Sequence, residues 1–349
     1  MKKIITQNFI LILLIFLGYI LTPDKISASA FEAGVPFLMI YPGAKATAMG
    51  GAFSAIADDA TASYYNPAAL ANFENIEFTL IHTPWLRGLA PDMYYEFTGF
   101  VYPLKVGSIG GHVIFSYYGE VEAYESPEQS LGAWAPYDLA VTFSYGYKLR
   151  DNLNLGADVK FIHSFLAPED ILRKATGIEG GGSGTTFGVG AGLLYYPPVK
   201  GLRISAVLDN LGPGISYTST GEKDPLPLVL RLGAGYTPLH TKHHQLTFAV
   251  DIDKILVGII NDYNEEGLNF VLREAWKHIG VDYTFFDMIS LRLGYFIDKE
   301  GDREGFTFGG GIRFKGFKID ISDDHNIYSF DQGANIRYGI SYVLTHKKK

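Results

Sequence analysis

The 349-residue chain contains no cysteine. That absence excludes a disulfide framework, a lipid-bearing N-terminal cysteine and thiolate metal sites. Charge is sparse too, at 19% of residues, and it leans acidic, with a formal net charge of −8. An acidic chain has no electrostatic grip on a phosphate backbone, so nucleic acid is excluded as a partner. Nor is there a nucleophile motif around the Ser, His and Asp residues, so no enzyme is expected and no catalytic residue is assigned. Gly180–Gly184 lacks the Lys and Ser/Thr of a phosphate loop and enters a strand, which reads as flexible loop. His243 and His244 stand without carboxylate or Cys neighbours, and Asp251-Ile252-Asp253 lacks the glycine and closing Glu of a calcium loop. No metal and no cofactor is expected.

What is abundant is glycine (40), tyrosine (23) and phenylalanine (24), a load that favours strands and turns over helices. The fold class read from it is all-β, in one piece, because barrels routinely use this length as a single domain. The N-terminus sets the compartment. Lys2 and Lys3 precede an apolar run, Phe9–Leu21, and Ala28-Ser29-Ala30 has the small-residue form of a cleavage site. Residues 1–30 therefore read as a signal peptide cleaved near Ala30, and the run is short for a membrane span. Loss of Lys2, Lys3, Lys25 and Asp24 with it leaves the mature chain more acidic still.

From Ile76–His82 to Ile336–Leu344 the chain shows about 14 strand-like runs, an even number as bacterial outer-membrane barrels require. In Leu153–Ser164 the apolar Leu153, Leu155, Ala157, Val159 and Phe161 alternate with Asn154, Gly156, Asp158 and Lys160. One such strand fits a soluble sandwich equally well. The connections decide: short links such as Lys105–Gly107, Pro197–Gly201 and Lys315-Gly316 alternate with long ones such as Gly119–Tyr137, Phe165–Gly184 and Asp253–Ala275. Short periplasmic turns opposite long extracellular loops are the habit of a membrane barrel. The expectation is a 14-stranded antiparallel transmembrane β-barrel over 76–345 in the bacterial outer membrane, its last strand paired with its first. Tyr95, Phe97, Tyr145, Tyr147, Tyr195, Tyr236, Tyr295 and Tyr342 are expected in aromatic girdles. Residues 346–349 form a basic tail, read as a solvated extension.

Ahead of the strands, residues 31–75 read as a hatch or plug at the periplasmic end of the lumen. Gly43–Phe73 is small and helix-compatible in its middle, with Gly50 and Gly51 for close packing and Pro67 as the stop after Asn66, before Ala68. Its motifs Gly43-Ala44, Met49-Gly50-Gly51-Ala52, Ala57-Asp58-Asp59-Ala60 and Asn66-Pro67-Ala68-Ala69-Leu70 resemble the N-terminal signature of the PorV/PorQ family, which is similar to the FadL family of outer-membrane barrels. The resemblance implies a barrel with a lumenal hatch. In FadL-type transporters that hatch gates a hydrophobic substrate, whereas PorV-type members serve type IX secretion. The implied partners are secreted cargo proteins or secretion-machinery subunits, or alternatively a hydrophobic small molecule such as a long-chain fatty acid.

By alternation the lumen-facing charges are Asp158, Lys160, Arg203, Arg231, Asp251, Asp282, Arg292, Arg313, Lys318, Asp320 and Arg337, a mildly basic wall. These residues are expected to pair with one another and with the plug, and Asp58 and Asp59 to lock the plug to that wall. Two loop helices are expected. Pro168-Glu169-Asp170 opens one that carries Ile171, Leu172 and Ala175; Glu265–Lys277 is the other, with Leu268, Val271, Leu272 and Ala275 on one face. Either could line a ligand site or dock a partner protein. Glu120, Glu122, Glu125 and Glu128, and Asp323, Asp324 and Asp331, read as a solvated rim facing outer-membrane lipid and lipopolysaccharide, whose phosphates divalent cations could bridge.

Overall fold

The computed structural model describes residues 33–86, 90, 92–177, 180–219, 221–324 and 335–345. Residues 1–30, read from sequence as a signal peptide, Asp331 and residues 346–349 lie outside the described residues. Fourteen antiparallel strands close into one barrel. They are β1 (Ile76–Pro84), β2 (Tyr94–Pro103), β3 (Ser108–Tyr117), β6 (Tyr137–Arg150), β7 (Leu153–Phe165), β8 (Ser183–Tyr195), β9 (Leu202–Leu211), β10 (Val229–His240), β11 (His244–Ile255), β12 (Trp276–Phe285), β13 (Ile289–Asp298), β14 (Arg303–Phe314), β15 (Phe317–Asp323) and β16 (Ile336–Leu344). Each run read from the alternation falls on one of them. The first and last strands pair from Ile76↔Leu344 to His82↔Tyr338, so the sheet has no free edge.

The direction of the alternation separates membrane barrel from sandwich. A sandwich buries the apolar face; here Val159, Phe161, Phe248, Val250 and Ile252 are exposed while Asn154, Lys160 and Asp251 are buried. Apolar residues outside and charges inside suit a wall whose solvent is lipid. Tyr145, Tyr236 and Tyr342 share the outward face, as a girdle requires. Tyr95 and Phe97 do not: they point inward and are fully buried, because their parity on β2 is that of the lumen.

The long loop after β3 holds a hairpin that the sequence reading missed, β4 (Val121–Ser126) with β5 (Gln129–Trp134). Its short strands, the first acidic and both mostly exposed or half-buried, carry no clear apolar face to announce it. The glycines before β8 are better fixed than a flexible loop: Gly182 accepts from Leu166 and Ala167 and donates to Tyr217.

The N-terminal segment lies against the inner faces of the wall. A 3₁₀ turn (Pro36–Met39) is followed by α1 (Ala44–Ala48), α2 (Ala62–Tyr65) and a second 3₁₀ turn (Pro67–Asn72). Helix is therefore found at the two ends of Gly43–Phe73 and not in its middle, where Gly50 and Gly51 both take positive φ. Asn66 is extended (φ −165°, ψ 103°) ahead of Pro67, which stops α2, and its side chain accepts from the Ala68 N–H. α1 packs on β13, β14, β15 and β16, and the second 3₁₀ turn on β3, β6, β7 and β8, roughly the opposite side. The segment also runs the length of the lumen. Gly34 donates to Pro225 in a long loop, whereas Asn72 accepts from Asn154 beside a short turn. Confinement to the short-turn end, expected from sequence, is thus too narrow.

Candidate functional site

Backbone polarity explains how the segment is held. Enclosed N–H and C=O groups must find partners; many close turns within the segment, and several others find them on the wall. Gly50 N donates to Thr307 Oγ1 (2.9 Å), and its carbonyl meets His278 Nδ1 (2.6 Å). A Cβ at Gly50 would stand 2.7 Å from the Tyr295 carbonyl oxygen, so only glycine fits there. Asp251 accepts from the N–H groups of Phe53 (3.1 Å) and Ser54 (2.8 Å). Asn66 Nδ2 donates to the Ser54 (3.0 Å) and Leu193 (3.2 Å) carbonyls.

Arg231 is a second anchor. It donates to Asp253 (2.9 Å) and to the Tyr65 carbonyl (3.1 Å) and lies against the rings of Tyr41, Tyr64 and Tyr65. Tyr41 in turn donates to Asp253 (2.9 Å). The sequence reading assigned neither Tyr41 nor Asp253 to the lumen, Asp253 having been weighed only as part of a calcium loop.

Inward glycines make the close fit possible. A Cβ on Gly156 would clash with Pro67 and Ala68, and one on Gly294 with Met49 and Gly50. Gly233 faces Ser54 and Gly280 faces Met49 in the same way. Glycine in a strand interior marks such an approach, so inward-parity glycines were the signal available in the sequence.

The lumenal charges largely pair across the wall. Lys160 donates to Asp209 (2.8 Å), Arg231 to Asp253, Arg292 to Asp320 (2.5 Å), Lys318 to Glu77 (2.8 Å) and Arg337 to Asp324. Asp282 lies between Arg292 (3.4 Å) and Lys45 (3.6 Å). Asp158 is enclosed near Asp209 beside Gly190. Arg203 donates to Thr237, and Arg313 reaches the turn residue Asp287 at the mouth. Glu77, Asp138, Asp209 and Asp253 are buried acids that the alternation count omitted, so the wall is not basic overall. Asp324, assigned from sequence to the rim, is instead buried with Arg337.

Asp58 and Asp59 do not grip the wall as expected. Asp58 pairs with Lys45 of α1 (2.7 Å), and Asp59 accepts from Thr61 N (2.9 Å) and the Thr61 hydroxyl. These bonds close within the segment, and Lys45, between Asp58 and Asp282, links them to the barrel wall. Enclosure would raise the Asp58 pKa, but the Lys45 ammonium, then Lys318, outweighs it and holds the carboxyl below its ordinary range. Burial, and then the Asp58 charge, pushes Asp59 up.

Below the segment a cavity of about 110 Å³ is lined by Lys45, Asp58, Asp282, Arg292, Lys318 and Asp320. It shares Asp58, Arg313 and Lys318 with a wider vestibule of about 620 Å³ that opens beside Arg203, Glu77 and Phe73. Both are charged, at the short-turn end.

At the other end stand the loop helices. α3 (Glu169–Thr176) begins after Pro168 as expected, and Ile171 is buried against the β4–β5 hairpin, with Leu172 partly covered. The second expected helix, Glu265–Lys277, is realised only as α5 (Leu268–Glu274), since Ala275 is extended and Trp276 already begins β12. A helix that the sequence reading missed, α4 (Ile259–Glu266), precedes it, and the two are separated at Gly267, whose φ of 81° and ψ of 177° no α-helix contains. Val271 is buried, whereas Leu268 and Leu272 are each 57% exposed. Among the described residues no group of His, Cys, Asp and Glu is placed to hold a metal ion.

A closed antiparallel wall, apolar outside and ionic inside, with turns short at one end and long at the other, defines a bacterial outer-membrane β-barrel. Residues 24–262 match the family described as type IX secretion system protein PorV, and the chain belongs to that family. No curated protein matches the sequence. Among solved structures, the toluene transporter TodX of Pseudomonas putida is 14% identical, with 88% of this chain and 99% of TodX covered at a TM-score of 0.56. The toluene transporter TbuX of Ralstonia pickettii is 15% identical, covering 88% and 98% at 0.51. Identities this low are a likeness of fold.

Proposed function

We propose that this PorV-family barrel serves protein secretion at the outer membrane as a docking component and not as a conduit. The observation that carries this reading is the segment inside the barrel: residues 36–73 bond to wall strands on both sides, across the path that a polypeptide would have to take. Cargo proteins or machinery subunits then meet it at the rim, and the N-terminal segment is a fixed plug. The role is non-catalytic. The leader is removed near Ala30, and the acidic hairpin faces lipopolysaccharide.

A second reading is FadL-like uptake of hydrophobic compounds, favoured by the exposed Leu268 and Leu272 and by the fold shared with toluene transporters. Deleting the gene separates the two. The expected outcome is a depleted secreted proteome with long-chain fatty-acid uptake unchanged; intact secretion with lost uptake would overturn the secretion role.

A further inference from the structure

The pair α4–α5 leaves Ile260, Tyr263, Leu268 and Leu272 exposed by 48 to 57%, a large apolar set for a loop. Where the pair sits follows from strand parity. Arg231 and Asp253, facing each other across β10 and β11, point into the lumen, so their neighbours Leu230 and Lys254 point outward. Lys277 faces Ile252 across β11 and β12 and shares that outward side.

Both outward lysines are taken up by α5. Lys254 is buried in an ion pair with Glu274, and Lys277 donates to the carbonyls of Arg273 (3.1 Å) and Ala275 (2.6 Å). Helix C-termini leave carbonyls unsatisfied and attract cations, so the lysines fasten that end. α5 is thereby tied to outward-facing residues of β11 and β12, and Ile252 and Ile279, the next outward positions on those strands, are exposed as part of the lipid-facing band.

We infer that α4 and α5 form a foot that rests on the outer leaflet, its four apolar side chains entering the boundary between headgroups and acyl chains. Continuity with the lipid-facing band selects lipid as the occupant. Amphipathic helices fastened beside an apolar wall behave in this way, and their depth is set by buried apolar area. The inference stands whether the barrel serves secretion or uptake.

The cysteine-free chain allows a direct test. Leu272→Cys, Phe248→Cys and Glu128→Cys are each labelled with a nitroxide and reconstituted in phosphatidylcholine–phosphatidylglycerol vesicles, with the shifted band of the unboiled protein confirming the fold. Collision with oxygen, enriched in lipid, is compared with collision with a nickel chelate, confined to water. The label at Leu272→Cys is expected to favour oxygen, as Phe248→Cys on the lipid band does, while Glu128→Cys at the hairpin tip favours nickel. A nickel-favoured Leu272→Cys overturns the foot and leaves the patch to a protein partner. Leu268→Cys gives the same reading should Leu272→Cys fail to fold.

Discussion

Asp251 accepts hydrogen bonds from two successive backbone N–H groups, those of Phe53 and Ser54, where water is excluded. Replacing it with alanine strands both donors, and each buried donor left unpaired costs about 1–3 kcal/mol. Asp58 and Asp59 are different. Their bonds close inside the segment, and the Asp58 carboxyl is 48% exposed to the vestibule, so water screens its pair with Lys45. Asp251→Ala is expected to free the segment, seen as new protease cleavage within 36–73 of the folded barrel. The double change Asp58→Asn with Asp59→Asn leaves that stretch resistant. Equal cleavage in both variants would show that the acids of the segment, and not Asp251, secure it.

Strand elements carry the fit of that segment through glycine. β7 brings Gly156 against Pro67 and Ala68, backbone to backbone, so an added side chain has no flexible neighbour to displace. Overpacking of this kind costs about 1–3 kcal/mol, and the segment yields more readily than the hydrogen-bonded wall. Gly156→Val is expected to expose residues 36–73 to protease while the unboiled protein keeps its shifted gel band. Ala157→Val, one residue along and outward, changes neither. Loss of the shifted band in Gly156→Val alone would place the damage in the wall. Elements were unequally legible: the barrel strands repeat a two-residue period over seven or more residues, whereas α4, which was missed, and α5 are single short helices parted by one glycine conformation.

For the whole molecule, the plug reading has an electrical consequence. On that reading the crossing ion pairs and the segment obstruct the bore, so the intact barrel should conduct only weakly in a planar bilayer. Deleting residues 36–72 removes the backbone that occupies the centre and leaves a wall lined by charge. Porin-like current steps are expected from the deleted form, and steps of the same size from the intact barrel would sink the fixed plug.

Strand number, sidedness, the direction of closure and the small-residue segment were all legible in the sequence, because they follow from periodicity, turn length and composition, which are local. Partners were not. Phe53 and Asp251 lie 198 residues apart, and which carboxylate meets which N–H depends on the stagger at which fourteen strands close. Closure decides likewise that Arg231 finds the Tyr65 carbonyl and that Gly50 finds Thr307 and His278.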